Sequence, residues 1–462
     1  MSAEHESSHE LADSVGGLRR NIGFWGASAI MVGIIIGSGI FRTPPDIARL
    51  LDKTWLILLM WGLGGLLSLF GAFTYSELAV MYPQAGGVYV FLREGYGRCM
   101  AFVFGWTYLL ISKPTAAAGI ALLFGEQFNT AVGLPASDPR IPTTVLLVVL
   151  TIVNCLGNTL GGGLAIVFTS IKAAALLLIV LFGAFKLTAI TTASSSPTEL
   201  PLALALTSVF SSILWTYDGW SDVGAIAGEV RRPQKMLPRI YFTGTLAVTL
   251  LYVAVNAVYI RIMPLSEMRT VTDVAPVVAQ RLIGNVGLWI LTIVILISAA
   301  GSTHGSIITG ARISFAQALD GLLFRPLAHV NPRFGTPTTS LWIQLVLSCI
   351  ALWVLQGFKE LTDSFVFTMW IFYGLAGASI FILRKKRPNA PRPYRCVLYP
   401  IVPAIFVLAS LAMTVMSIIQ DLAEPPYYTL VWIGVLLAGI PVYFLYEFTQ
   451  RNSPPRRHAR GE

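Results

Sequence analysis

Twelve runs dominated by apolar residues divide the chain, at roughly 22–50, 54–81, 99–127, 142–158, 164–188, 202–229, 238–262, 286–313, 338–357, 364–384, 398–420 and 428–448. Clusters of Pro, Gly and charged residues punctuate most of the gaps. A helix needs ~20 apolar residues to cross the ~30 Å core of a bilayer. The pattern therefore predicts an all-α membrane protein with twelve transmembrane helices.

Two runs are interrupted. In the first, Gly37-Ser38-Gly39 separates Val32-Gly33-Ile34-Ile35-Ile36 from Ile40-Phe41. Gly and Ser are poor helix formers. A helix that opens here exposes the N–H groups that begin its second half, a terminus with partial positive charge suited to a carboxylate. Unwound backbone at membrane depth persists only where it lines a cavity, so Gly37 to Ile40 form one half of a candidate binding site. A Gly/Ser face packed tightly on a neighbouring helix accounts for the same residues. The sixth run carries Trp215-Thr216-Tyr217-Asp218-Gly219-Trp220 at its middle. The two breaks are five runs apart, and an odd offset reverses orientation in the membrane. That predicts an inverted five-plus-five repeat with helices 1 and 6 broken and meeting at the midplane, and two extra helices, 11 and 12, outside it.

Composition narrows the class. Hydrophobic residues make up 55% of the 462 and charged residues 12%, and mean hydropathy is +0.71, the balance of a polytopic membrane protein. Of the 32 Lys and Arg, 21 fall in the terminal and loop segments on the N-terminal side, nine in those on the opposite side, and Lys113 and Lys172 within runs. The positive-inside rule then places both termini in the cytoplasm. It also accounts for the net charge of +9 without a nucleic-acid partner. The expected organisation is a disordered cytoplasmic tail at 1–20, a transport core at 21–390, helices 11 and 12 at 391–450, and a basic tail at 451–462. The first 20 residues hold no apolar stretch of a signal peptide. Cys99, Cys155, Cys349 and Cys396 share no metal-ligand spacing and imply no disulfide framework, so no metal and no cofactor are expected.

Four motifs, in order and at consistent spacing, carry a family resemblance over about residues 21 to 400. They are Gly37-Ser38-Gly39-Ile40-Phe41; Tyr75-Ser76-Glu77-Leu78 with Pro83-Gln84-Ala85-Gly86-Gly87-Val88-Tyr89; Gly228-Glu229-Val230-Arg231-Arg232-Pro233-Gln234-Lys235-Met236-Leu237-Pro238; and Arg384-Lys385-Lys386-Arg387-Pro388 with Arg392-Pro393-Tyr394. Together they resemble the amino acid–polyamine–organocation superfamily, and within it the L-type amino acid transporters. The resemblance implies a helical fold, alternating access and a free amino acid as substrate. Carried onto this chain, it implies that amides near Ser38, Gly39 and Ile40 hold the substrate carboxylate. Carbonyls at Ile35, Trp215, Thr216 and Asp218 would take the ammonium, and Trp215 would be an aromatic gate, with an aromatic packed in the bundle as the plainer reading.

Ionisable residues inside a membrane are functional candidates by default. Lys172 lies in the fifth run, where sodium-independent members of the family place a lysine. Its ammonium would stand in for a sodium ion, donating to carbonyls near Gly33 and Ile36 and to Ser298 or Ser302; a lysine snorkelling to the interface is the alternative. Asp218 departs from many relatives, whereas Tyr217-Asp218-Gly219-Trp220 and Lys113-Pro114-Thr115 resemble the family's exchangers of cystine and dibasic amino acids. An uncompensated carboxylate is costly to bury, so Asp218 is expected to pair with Lys113, a cationic substrate or a proton, or to cap the following half-helix. Asp222, one turn on, reads as a structural hydrogen-bonding residue. Ser112, Thr115, Ala116 and Gly119 share one helical face, which suits either a side-chain pocket or a tight helix seam. His304 reads as a proton site or as a neutral, hydrogen-bonded histidine. Glu77 and Glu229 read as gate or loop anchors.

The resulting expectation is a sodium-independent secondary transporter of amino acids in the cell (inner) membrane. A proton-coupled or exchange carrier of cationic amino acids or polyamines is the alternative. An enzyme is disfavoured, since no nucleophile elbow, phosphate loop or His/Asp/Glu cluster appears, and a channel lacks its ring of filter residues. The heteromeric relatives attach a heavy subunit through a cysteine in the outer loop after helix 3. Residues 129–141 contain none, so no disulfide-linked heavy subunit is expected; the partners are an amino acid substrate and the lipid bilayer.

Overall fold

A computed structural model describes residues 14–15, 18–185, 201–355, 357–423 and 428–451. Ser14–Val15 and Leu18–Arg19 pair as a small hairpin, within the stretch expected to be a tail; the regular structure is otherwise helical. Among the described residues, ten helices are long and apolar enough to cross a membrane, against the twelve expected. The run at 142–158 is a shorter apolar helix, Arg140–Cys155. The run at 202–229 is a 16-residue helix followed by two 3₁₀ turns.

The elements that build the site are α1 (Phe24–Ile35), α2 (Gly39–Leu50), α3 (Thr54–Met81), α4 (Lys113–Ala131), α5 (Asn158–Phe185), α6 (Leu202–Tyr217), α7 (Pro233–Ile262), α8 (Val274–Ile283), α9 (Asn285–Leu319) and α10 (Phe358–Lys386). Between α1 and α2, Ile36, Gly37 and Ser38 are non-helical. The helix Arg98–Thr107 widens into a π turn over Tyr108–Ser112 before α4 begins. The cause is next in sequence: Pro114 has no N–H to give the carbonyl four residues back, and a wide turn relieves the mismatch at the cost of regularity. The amide of Lys113 accordingly bonds back to Tyr108.

Helix α8 falls where the apolar pattern suggested only a loop. Its ten residues are too few to read as a span, yet Val274, Ala275, Val278 and Ala279 form the buried stripe of an amphipathic helix. It packs on α9 and α2 and sets Asp273 against the site's flank.

Candidate functional site

The geometry at the ends of α1, α2 and α6 follows from two glycines. A Cβ on Gly39 would stand 2.3 Å from Thr216 Oγ1 and 2.7 Å from its Cβ, so only glycine lets the start of α2 approach the end of α6. Gly219 has φ +114°, and a Cβ there would meet the Ile35 nitrogen at 2.9 Å. Thr43 and Thr216 hydroxyls join the two helices at 3.0 Å.

The first α2 amides to bond within the chain are those of Phe41 and Arg42, both to the Ser38 carbonyl at 3.2 Å. The amides of Ser38, Gly39 and Ile40 precede that first turn, as at any helix start. A pocket lies before them. Its wall includes Gly37, Ser38, Gly39, Ala116, Trp215, Thr216 and Asp218, and also Lys113, Asp222 and Ser306. Ser38 and Ser306 are each 1% exposed, and neither Oγ has a hydrogen-bond partner. Two such hydroxyls beside an uncapped helix start make a polar lining that a carboxylate or ammonium satisfies. Cavity volume is about 20 Å³, room for one water, so an amino acid fits only when the walls move apart.

Two expected site residues are engaged elsewhere. The Ile35 carbonyl already accepts from the Gly37 amide at 2.7 Å and from the Tyr252 hydroxyl at 2.7 Å; both lone pairs are engaged, which removes it as an ammonium acceptor. Gly119 is outside the pocket wall and faces Leu361 and Thr362 of α10. The face divides: Ala116 lines the pocket, while Gly119, and Ser112 just before α4, bonded to Thr368 at 2.8 Å, form a seam with α10. Ile40, expected to act only through its backbone amide, keeps its side chain outside the wall.

The charged groups also sort themselves. Lys172 is fully buried. Its ammonium reaches the carbonyls of Gly33 at 2.5 Å and Ile36 at 2.7 Å, the Ser302 hydroxyl at 2.8 Å and the Ser298 carbonyl at 3.4 Å. Lys113 binds Asp222 at 2.9 Å rather than Asp218. The 3₁₀ turn Trp220–Gly224 swings Asp222 toward α4, while the Asp218 carboxylate accepts from the Tyr373 hydroxyl at 2.7 Å. The Tyr373 hydroxyl also meets that of Ser221 at 2.8 Å. His304 is buried edge-on to Phe168 at 6.4 Å, away from the pocket wall.

Both ends are shut. At one, Trp215 packs edge-on against Phe365 and Phe358 at 5.3 and 6.3 Å. The Arg42 guanidinium lies 4.8 Å over Phe358 and pairs with Glu126. Nearby, Asp273 accepts from Gln127 at 2.5 Å, and burial pushes its carboxyl up to about 7. At the other end, that of the basic segment 384–395, Ile22 bridges Val230 and exchanges backbone hydrogen bonds of 2.9 Å with Glu229 and Arg231. Glu229 pairs with Arg312 at 2.8 Å, and Glu77 binds Arg384 at 2.6 Å and the Cys396 amide at 2.7 Å.

Sequence reasoning missed Ser306 and Tyr373. Ser306 lies one turn past Ser302 on the same face of α9, a spacing that offered a signal. Tyr373 offered none, its partner Asp218 being 155 residues away.

Comparison with known proteins identifies the family of the chain. The profile of the family described as amino acid permease matches residues 22–439. The chain is 30% identical to the serine/threonine exchanger SteT of Bacillus subtilis (strain 168), over 93% of this chain and 97% of that one. It is 28% identical to the b(0,+)-type amino acid transporter 1 of Mus musculus, over 98% and 94%. With the cystine/glutamate transporter of Homo sapiens identity is 30%, over 93% and 85%.

Proposed function

The chain belongs to the amino acid permease family, and from that premise we propose that it is a sodium-independent secondary transporter of free amino acids, working by alternating access across the cell membrane. In this reading twelve helices span the bilayer, both termini are cytoplasmic, and α1–α2 and α6 with its following turns are the two broken helices of an inverted five-plus-five repeat. The amides of Ser38, Gly39 and Ile40 hold the substrate carboxylate. The last carbonyls of α6, at Trp215 and Thr216, take the ammonium with Asp218 beside them. Trp215 closes the site, and Lys172 fills the place of a coupling cation. Similarity to the serine/threonine exchanger and the b(0,+)-type transporter supports amino acids over other cargo, and no disulfide-linked second subunit is needed.

The observation that carries the reading is the pair of buried, unpartnered hydroxyls, Ser38 and Ser306, in one wall with an uncapped helix start. Burying a polar group unpaired costs ~1–3 kcal/mol, a penalty a zwitterionic head relieves. The test is a thermal-shift screen of the purified protein against the twenty amino acids, ornithine, agmatine and polyamines. A ligand at a hundred times its Kd should stabilise by about 2.7 kcal/mol. If no amino acid shifts the transition while a polyamine does, the substrate class is wrong.

A second reading rests on Asp218. With Lys113 committed to Asp222, the donors at the Asp218 carboxylate are neutral, the Tyr373 hydroxyl and the Gly219 amide, which favours substrates that bring a second positive charge, whether by exchange or with a proton.

A further inference from the structure

Two cavities meet at one ion pair. The central pocket shares Lys113, Asp222 and Phe365 with a second cavity that continues toward the basic end past Val88, Ala225 and Met369. The Lys113 ammonium and the Asp222 carboxylate are 2.9 Å apart, with side chains 5% and 7% exposed. Lys113 opens α4 directly after the π turn, and Asp222 lies in the 3₁₀ turn. The tyrosines on each side brace the partition. The Tyr108 ring lies 5.8 Å from the Lys113 ammonium, and Tyr373 ties Ser221 to Asp218.

We infer that the Lys113–Asp222 pair is the length stop of the side-chain pocket, so that it determines which neutral amino acids are accepted. The inference rests on the amino acid reading above. With the substrate head at Ser38 and Gly39, the rest of the same wall that a side chain meets comprises Ala116, Ile120, Phe365 and the pair, and the pair, with Phe365, is the part shared with the second cavity. A short side chain ends before it. A long neutral one must pull the buried charges apart and offers neither a partner, the costliest way to open a buried ion pair. A pair that merely anchored α4 to the Trp220–Gly224 turn would affect stability without touching this ratio.

The experiment is competition for labelled alanine uptake in proteoliposomes, using alanine, serine, leucine, methionine and phenylalanine. The intact protein is expected to prefer alanine and serine over phenylalanine by about tenfold or more, the scale of an ill-fitting apolar group. Lys113→Ala with Asp222→Ala joins the cavities, and the preference should move about tenfold toward leucine and phenylalanine. Lys113→Met with Asp222→Leu removes the charges but keeps the volume, so the cost of parting them is gone and the preference should move toward leucine and phenylalanine, by less than in the alanine double variant. Two results overturn the inference: an intact protein that takes phenylalanine as well as alanine, or an alanine double variant that folds and keeps the original order. If that variant does not fold, the series on the intact protein decides alone. Binding of no amino acid at all would instead sink the transporter reading, whereas binding without length preference sinks only this inference.

Discussion

Replacing Lys172 with Met separates what holds the fold from what works the cycle. The ammonium donates to two backbone carbonyls at the end of α1 and to a hydroxyl on α9. Each charge-assisted bond is worth ~1.5–3 kcal/mol net, so three bonds amount to roughly 5–9 kcal/mol of gross attraction. Most of that does not appear as lost stability in the mutant. The Ser302 hydroxyl still reaches the Gly33 carbonyl at 2.7 Å and the Ser298 hydroxyl the Ile36 carbonyl at 3.0 Å, and the cost of burying an ammonium disappears with it. We expect Lys172→Met to lower stability by about 1–3 kcal/mol. Transport should suffer far more, because the same bonds tie α1 to α5 and α9 only while α1 stays in place. Losing even ~3 kcal/mol of state-selective attraction shifts the balance of states more than a hundredfold. Uptake into liposomes in sodium-free choline buffer, with a thermal melt on the same preparation, reads both quantities. The intact protein should transport without sodium, and the variant should fall about tenfold or more. A variant that transports within twofold of the intact protein, or an intact protein that stops without sodium, would refute the reasoning.

Gly39→Ala drives a methyl group into Thr216 and should cost about 1–3 kcal/mol by overpacking, with a larger loss of substrate-induced stabilisation than of melting temperature; equal losses would show that the contact is only structural. Asp218→Asn, assayed with leucine, alanine, arginine and lysine side by side, should selectively weaken the cationic pair, and an equal effect on all four would remove Asp218 from side-chain recognition. The raised carboxyl of Asp273 faces Arg42 and Asp46 on α2 and Glu126 and Gln127 on α4. The folded state binds this proton more tightly than the unfolded chain, so its contribution is fully present below about pH 4 and is lost as pH rises through about 7. Melting temperature should therefore decline over that window, and less so in Asp273→Asn; an identical pH profile in the variant would count against it.

The broken-helix reading was available from residue type because Gly37, Ser38 and Gly39 oppose helix at the centre of an apolar run. Lys172 was legible for a related reason: a lysine that deep in apolar sequence must find acceptors, and the unwound end of α1 supplies carbonyls without helical donors. Partner choice was not legible. By sequence, Lys113 is a partner for Asp218, and Asp222 has a structural role; the actual pairing with Asp222 turns on a 3₁₀ turn that no periodicity encodes. Gly119 misled because a small residue that makes room for a ligand and one that makes room for a helix look alike. Ile35 misled because its competitor, the Tyr252 hydroxyl, lies 217 residues away.

The interruption after Ile35 matters because it lets two differently held ends move apart. Helix α1 belongs to the basic end. Lys172 grips its last turn, and the strand just before it is bonded to the backbone at Glu229 and Arg231. Helix α2 belongs to the opposite end, held by the Arg42–Glu126 pair and the Thr43–Thr216 contact. These holds are unequal. Glu229 and Arg312 are 0% and 3% exposed, and stranding one member of such a buried pair costs about 3–5 kcal/mol. Arg42 and Glu126 are 21% and 30% exposed, and a pair open to water contributes about 0–1 kcal/mol. In the alternating-access reading, the end of the molecule that carries Arg42 is thus the cheaper one to open, and opening the basic end needs a substrate whose contacts help to release α1. Breaking the buried Glu229–Arg312 pair without leaving a lone charge, by Glu229→Gln with Arg312→Met, should then reverse the order. With a cysteine introduced at Ala116 in the pocket wall, a thiol reagent confined to the basic side should modify it faster in that double variant without substrate than in the otherwise intact protein, and unchanged access would show that the buried pair does not set the balance.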